Sequence, residues 1–430
     1  MAVSTDADRR SATRIPTFRY TSLDFHRREV ERLWLRAWQV ACREEDLPAP
    51  GNFVEYEIAD QSILVIRGRD EVIRAFPNAC RHRGTALVGG RGHRQELRCS
   101  FHAWCWDVEG RCTEIIDPHE FGNPPLSDFD LPSYGVGIWS GFVFVCPQPQ
   151  VSFSEWIAPL AELVAPYGFE DMRYQFIKHT VVPCNWKVAV EAFLESYHLL
   201  GTHPQAVVSS DDTSTVYETH GEHGRFVVPL AVPSGRLGIE DQEMVLDQMI
   251  ANMLAVQYVL PDQLAKLRRL QSGEERLSEG ETLRDLLVAM NRERATRTGF
   301  DLSRFDDSQL FDNHEFHVFP NLVFSALPGE WFGFRFRPNG DDPHSCIFEV
   351  IDLRPPDSDH KAPETTHVPY SSDPEECLKA WGTILHQDFR NLGKIQKGLR
   401  SAGLDHITVG SYQESLVAHF HETIDTYVGS

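Results

Sequence analysis

The sequence predicts an α+β protein, and three observations carry that prediction. Short strand-like runs separated by turn residues fill residues 52–147. A second set of runs, rich in phenylalanine and alternating in period two, lies between Phe316 and Leu353. Before, between and after them, apolar residues recur at helical spacing over 23–38, 154–164, 185–200 and 373–402. An all-β unit followed by a sheet flanked by helices is the α+β arrangement. With 430 residues the chain is long enough for two or three domains. The changes of pattern divide it into an N-terminal helical segment at 1–43, an all-β domain at 44–152 and a larger domain at 153–430.

Taken in order, residues 1–20 read as loosely ordered. Ser22 then caps a helix from Leu23 to Trp38, with Phe25, Val30, Leu33, Trp34, Ala37 and Trp38 on its apolar side. Pro48, Pro50 and Gly51 stop it. Phe53 to Ile58, Ser62 to Arg67 and Val72 to Phe76 read as strands, with a tight turn at Gly68-Arg69-Asp70. Ser154 to Val164 fits a helix, and another is expected near 185–200. Residues 241–298 carry helical patterning with a Gly/Ser break near 272–280, either an insertion over the site or a peripheral helical pair. Phe316 to Phe324, Trp331 to Arg337 and Cys346 to Leu353 read as an antiparallel meander with one face buried. Asp373, Pro374, Glu375 and Glu376 open a long helix as N-cap, N1 proline and first-turn acids. It should run to Ser401 or Ala402 and stop at Gly403. Ser411-x-x-Glu414 reads as a capping box for a final helix.

Within the all-β unit, Cys80, His82, Cys99 and His102 form C-x-H, 16 residues, C-x-x-H. Two thiolates and two imidazoles shared evenly between two loops suit a [2Fe–2S] cluster with sulfur on one iron and nitrogen on the other. Neutral nitrogen ligands leave such a cluster less negative and raise its potential, which suits an electron relay. Structural zinc is the alternative, but zinc sites usually pair C-x₂₋₄-C with H-x₃₋₅-H.

A second constellation runs from Asn185 to Pro204. On a helix turning about 100° per residue, Glu191, Glu195 and His198 share one face, whereas His203 points elsewhere unless Gly201 bends the chain. Pro204 prevents the helix from resuming. Two histidines beside acids could serve a 2-His-1-carboxylate iron site, or be ordinary histidines at a helix end. Of the 63 acids, Asp388 falls on a stripe formed by Ile384, Leu392, Ile395 and Leu399. A carboxylate on a buried stripe calls for a metal or a cation. On a partly wet face it would simply be solvated.

These residues resemble the Rieske non-haem iron, or aromatic-ring-hydroxylating, oxygenases, in their large (α) subunit. The resemblance starts at Cys80-Arg81-His82-Arg83-Gly84 and continues through Asn185-Trp186-Lys187, Glu191, Glu195, Tyr197, His198 and His203 to Gln387-Asp388 and Gln396-Lys397-Gly398-Leu399. It covers roughly residues 20–430, although 241–298 match nothing in the pattern. Most of these relatives read Tyr-His-Gly-Trp where this chain has Phe101-His102-Ala103-Trp104. Many ring dioxygenases carry Asp where this chain has Glu195, and relatives with Glu include some that oxidise quaternary-ammonium compounds.

The resemblance implies a Rieske domain joined to a helix-grip catalytic domain, with the N-terminal segment packed on the latter. It implies cluster ligands Cys80, His82, Cys99 and His102, and Fe(II) ligands His198, His203 and Asp388. Glu195 would link His198 to His82 or His102 of a neighbouring subunit in a homotrimer, with or without a small β subunit. Electrons would come from NAD(P)H through a separate flavin/iron-sulfur reductase, with or without a ferredoxin between. The expected reaction uses O2 for mono- or cis-dihydroxylation of a small organic molecule, aromatic or alicyclic, as in aromatic hydrocarbon catabolism. The alternatives are a monooxygenase of quaternary-ammonium compounds, a non-catalytic [2Fe–2S] electron carrier and a zinc-stabilised binding module. A net charge of −22 argues against nucleic acid and anionic membranes as partners. Nine cysteines, two of them in the cluster motif, and a polar N-terminal stretch point to the cytoplasm.

Overall fold

The computed structural model describes residues 12–238, 242–256, 260–297, 301–356 and 359–429. In the first half, strands Ile73–Pro77, Gln61–Arg67, Asn52–Ile58 and Arg91–His93 form an antiparallel sheet in that order. Ile63, Leu64, Val65 and Ile66 are all buried, because the second of these strands is covered on both faces. A smaller sheet of Leu97–Arg98, Cys105–Trp106 and Cys112–Glu114 packs beside it. Their shared core includes Phe53, Leu64, Phe76, Trp104, Trp106 and both motif cysteines, Cys80 and Cys99.

The second half is built on an eight-stranded sheet that is antiparallel but for one short edge strand, Thr366–His367. Register places Tyr217, Phe226, Glu315, Ser325, Phe332 and Asp352 directly opposite one another in a row across the sheet. Opposed residues share a face. Two residues along, Val323, Phe334 and Val350 make the next row of that face. The long C-terminal helix and the segment after Glu191 lie against it, with Phe389 on Phe348 at 5.0 Å and Phe193 on Phe334 at 4.3 Å between ring centroids. The opposite face carries Phe316, Phe324 and Trp331 and buries them with Trp156, Tyr167 and Phe169. Gly333 is required there: a Cβ would come within 2.6 Å of the Trp331 ring and the Val323 carbonyl.

Several expected boundaries shift, each for a local reason. The segment before residue 20 is partly ordered: Thr13–Pro16 pairs with His406–Val409, and Phe18–Thr21 is helical. Residues 1–11 lie outside the described residues. Ser22 caps its helix as expected, accepting from the Phe25 amide, but the α-helix spans Leu23–Glu29 and loosens to a π turn at Val30–Trp34. Gln39–Arg43 is a strand that pairs with Phe142–Cys146, so the first 43 residues are not only helical. The expected strand from Phe316 to Phe324 is two strands, Asn313–Val318 and Leu322–Leu327, divided at Pro320, which has no amide hydrogen to donate.

The long helix spans Pro374–Leu399, capped by Asp373 through the Glu375 and Glu376 amides. Gly382 breaks it with φ +77°, and it ends before Gly403. Its buried face is Leu385, Asp388, Phe389, Leu392, Gln396 and Leu399, whereas Ile384 and Ile395 are exposed. Asp388 therefore lies on the buried stripe, although the stripe is rotated from the one expected. The last helix, Ser415–Val428, has no Ser411 cap; Glu414 instead accepts from the Gly410 amide. The region 241–298 holds helices Gln242–Val256, Pro261–Gln271 and Leu283–Arg297. They pack on their own small core with Ala231 and Phe311.

Candidate metal centres

The helix that begins the second constellation is short. It spans Trp186–Glu191, and the chain leaves helical geometry before Ser196. Asn185 caps it by accepting from the Lys187 amide, and its own amide donates to Gln396 Oε1 at 2.9 Å. Trp186 packs edge-on against Trp34 at 4.8 Å. Lys187 and Glu29 are both fully buried and paired at 2.7 Å. The Asn-Trp-Lys run and the distant Gln396 thus serve one purpose: they fix this helix to the N-terminal helix and to the long C-terminal one.

Because the helix stops at Glu191, Glu191 does not share a face with Glu195 and His198. Its carboxylate turns the other way and accepts from His421 Nε2 at 2.7 Å. Burial pushes its pKa up to about 8. Glu195 meets His198 across a turn rather than along a helix, with Oε1 at 2.8 Å from Nδ1 and Oε2 accepting the His198 amide at 2.9 Å. His198 and His203 bracket a one-turn helix, Leu199–Thr202. The change of direction that lets both histidines converge therefore lies before His198, not at Gly201.

Asp388 is brought to the pair from the long helix. Its Oδ1 lies 2.9 Å from His203 Nε2 and 4.0 Å from His198 Nε2. Among the described residues, His198, His203 and Asp388 are the one group of three or more such side chains whose ligand atoms all fall within 4.8 Å of one another. Each ring is held by its far nitrogen. His198 Nδ1 donates to Glu195 and His203 Nδ1 donates to Gln387 Oε1 at 2.8 Å, so that both Nε2 atoms face Asp388. Burial works against charging the His198 ring, but Glu195 and, behind it, Asp388 hold its pKa above the ordinary imidazole value. Two neutral nitrogens and a carboxylate on one side of a point, with other positions open, fit a non-haem iron. Gln387, next to Asp388, is a positioning residue that spacing alone did not single out.

The cysteine–histidine set is arranged differently. Cys80 and Cys99 lie within hydrogen-bonding contact of each other. Backbone amides of His82 and Arg83 point at the first sulfur and those of Phe101 and His102 at the second. The His82 and His102 rings form a separate pair, centroids 4.6 Å apart, and His82 Nδ1 is buried without a partner. Four ligands round one zinc would converge on a single point, and these do not. A sulfur pair beside a nitrogen pair fits two irons, and amides aimed at the sulfurs favour their thiolate form. Ala103 has φ +58°, a left-handed conformation that strains a residue with a Cβ by about 1–2 kcal/mol. It stands where most of the resembling oxygenases carry Gly. Phe101 and Tyr197, neighbours of the two sites in sequence, are both exposed.

Comparison with known proteins adds the following. Residues 169–430 match the family described as ring hydroxylating alpha subunit (catalytic domain), and residues 37–134 match the Rieske [2Fe-2S] domain. The chain is similar to the glycine betaine monooxygenase oxygenase subunit of Chromohalobacter salexigens, 25% identical over 390 residues, 87% of this chain and 76% of that protein. It is similar to the carnitine monooxygenase oxygenase subunit of Escherichia coli K12, 29% identical over 226 residues. That match spans 52% of this chain and 60% of that protein. Its fold resembles the quaternary ammonium Rieske monooxygenase CntA in complex with L-carnitine, with TM-score 0.65, 17% identity and coverage of 97% and 96% of the two chains. It also resembles naphthalene 1,2-dioxygenase from Rhodococcus sp., with TM-score 0.63, 16% identity and coverage of 96% and 94%.

Proposed function

This chain belongs to the ring-hydroxylating, Rieske non-haem iron oxygenase family as an alpha subunit, and from that premise we propose that it monooxygenates a quaternary-ammonium compound. Its broad chemistry follows from the family: it is an oxidoreductase with a Rieske [2Fe–2S] cluster and a mononuclear iron, supplied with electrons by a reductase. Cys80, Cys99, His82 and His102 would hold the cluster, and His198, His203 and Asp388 the iron. When bound, these groups supply single electrons and O2 activation at a C–H bond of the substrate.

The substrate class rests on one observation. Glycine betaine, carnitine and choline monooxygenases are among the sequence relatives of this chain, whereas the likeness to naphthalene dioxygenase is one of fold. That favours the quaternary-ammonium reading over aromatic hydrocarbon catabolism. Purified holoenzyme with a surrogate reductase should oxidise one of a panel of betaines, carnitine and choline, and leave naphthalene unchanged, with products read by mass spectrometry. Turnover of naphthalene alone would reverse the assignment. Iron without acid-labile sulfide, or zinc in its place, would overturn the enzyme reading itself.

Glu195 supports a second part of the proposal, a head-to-tail homotrimer in which electrons cross between subunits. It grips His198 on one side and is only partly buried, so it can meet a ligand histidine of a neighbour. Co-expression of Cys80→Ala with His198→Ala should restore partial turnover that neither has alone, because a mixed trimer pairs an intact cluster with an intact iron. A dead mixture would exclude transfer between subunits. Among the described residues no helix is long and apolar enough to cross a membrane.

A further inference from the structure

We propose that Glu315 is the specificity-determining carboxylate that receives the cationic nitrogen of the substrate, an inference that rests on the quaternary-ammonium reading above. Glu315 is unusual among the buried acids. Glu29, Asp212, Asp312, Glu330, Glu349 and Asp352 are also buried, and each pairs with a lysine or arginine. Asp388 meets the two histidines, and Asp211 accepts from Thr213 and Gly235 in a turn. Glu315 is only 6% exposed, and among the described residues no cationic side chain pairs with it. Its Oε2 accepts from Ser325 Oγ at 2.5 Å and from Asn313 Nδ2 at 3.3 Å, and Oε1 accepts from no described residue. One acceptor oxygen is thus left without a partner in a place from which water is largely excluded, which is costly for a carboxylate.

Its position gives that oxygen a purpose. Glu315 stands in the sheet row of Tyr217, Phe226, Ser325 and Phe332, on the face that meets the iron-site helices. The Tyr217 hydroxyl ends that row at the candidate iron site, accepting the Ser196 amide at 3.2 Å and lying 2.8 Å from Ser196 Oγ, next to Glu195. Ser325 and Phe332 lie on interior strands of the sheet yet are only half-buried, so the helices do not close over this row. The row carries the rings of Tyr217, Phe226 and Phe332 with Glu315 among them, and the one other carboxylate in it, Asp352, is already paired with Arg354.

That lining selects a particular chemistry. A quaternary ammonium has no N–H and cannot be recognised by hydrogen bonds. It is held by aromatic faces and by a contacting anion. Burial pushes the Glu315 carboxyl up to about 7, and a bound cation offsets that penalty and keeps the group ionised. A neutral aromatic hydrocarbon would leave the carboxylate uncompensated, so Glu315 both attracts the cation and disfavours the hydrocarbon.

Calorimetric titration of the holoenzyme with choline and with its uncharged isostere 3,3-dimethylbutan-1-ol tests this without turnover. The wild-type protein should bind choline roughly tenfold or more tightly than the isostere. Glu315→Gln should remove that preference, leave the isostere's affinity unchanged and keep the cluster's visible absorbance. Glu315→Asp keeps the charge but withdraws it by one methylene, so choline should weaken several-fold even if the Gln variant does not fold. Undiminished preference for choline in either folded variant overturns the role of Glu315 and leaves the substrate class standing. No preference in the wild-type protein overturns both.

Discussion

Asp388→Ala is expected to abolish turnover and strip the mononuclear iron, while the cluster's visible absorbance is unchanged. Asp388 is 4% exposed and supplies the one carboxylate that meets both Nε2 atoms, so nothing nearby can replace its oxygen. The loss should exceed the roughly 10–100-fold that removing a supporting partner of a ligand typically costs. The cluster is expected to survive because the four residues that would hold it sit on loops of separate sheets, whose own core includes Cys80 and Cys99. Iron and acid-labile sulfide analysis alongside an activity assay checks the prediction. Retained iron and turnover would mean that another carboxylate, Glu195 first, completes the site.

Lys187→Met should destabilise the protein by about 3–5 kcal/mol, because it leaves Glu29 charged and unpaired in the core. Both partners are 0% exposed, and the pair joins the N-terminal helix to the one that leads into the iron site. Burial lowers the Lys187 pKa, with Glu29 opposing that shift. The double variant Lys187→Met with Glu29→Leu should regain most of the loss, since removing both charges also removes the desolvation cost. Denaturant unfolding followed by tryptophan fluorescence reads both values. Equal loss in the single and double variants would show that packing, not charge, holds this joint.

Much of this was legible in the sequence because the relevant physics is local. Ligand chemistry is a property of residue type, so two thiols and two imidazoles on short loops pointed to the cluster before any geometry was known. The strand runs at 53–58 and 62–67, and the Asp373 cap, depend on neighbours within a few residues, and they appear where expected. Asp388 was readable as a polar residue on an apolar face, even though the face proved rotated toward Leu385 and Phe389.

What the sequence by itself could not decide were the features set by contacts between distant segments. The helix at Trp186 stops after Glu191 because Glu195 and Ser196 find partners outside it, in His198 and in Thr215 and Tyr217. Periodicity assumes that a helix continues, so it placed Glu191 beside His198 when tertiary contacts send it to His421. The strand Gln39–Arg43 and the ordering of Thr13–Pro16 come from pairing with residues about 100 and 400 positions away, which no local pattern encodes. Glu315 is the clearest case. In sequence it is one acid on an alternating strand, and only the register of the sheet shows it buried, without a cation, in the row that ends at the iron site. Local chemistry told which atoms could bind metal, and long-range pairing decided which of them meet.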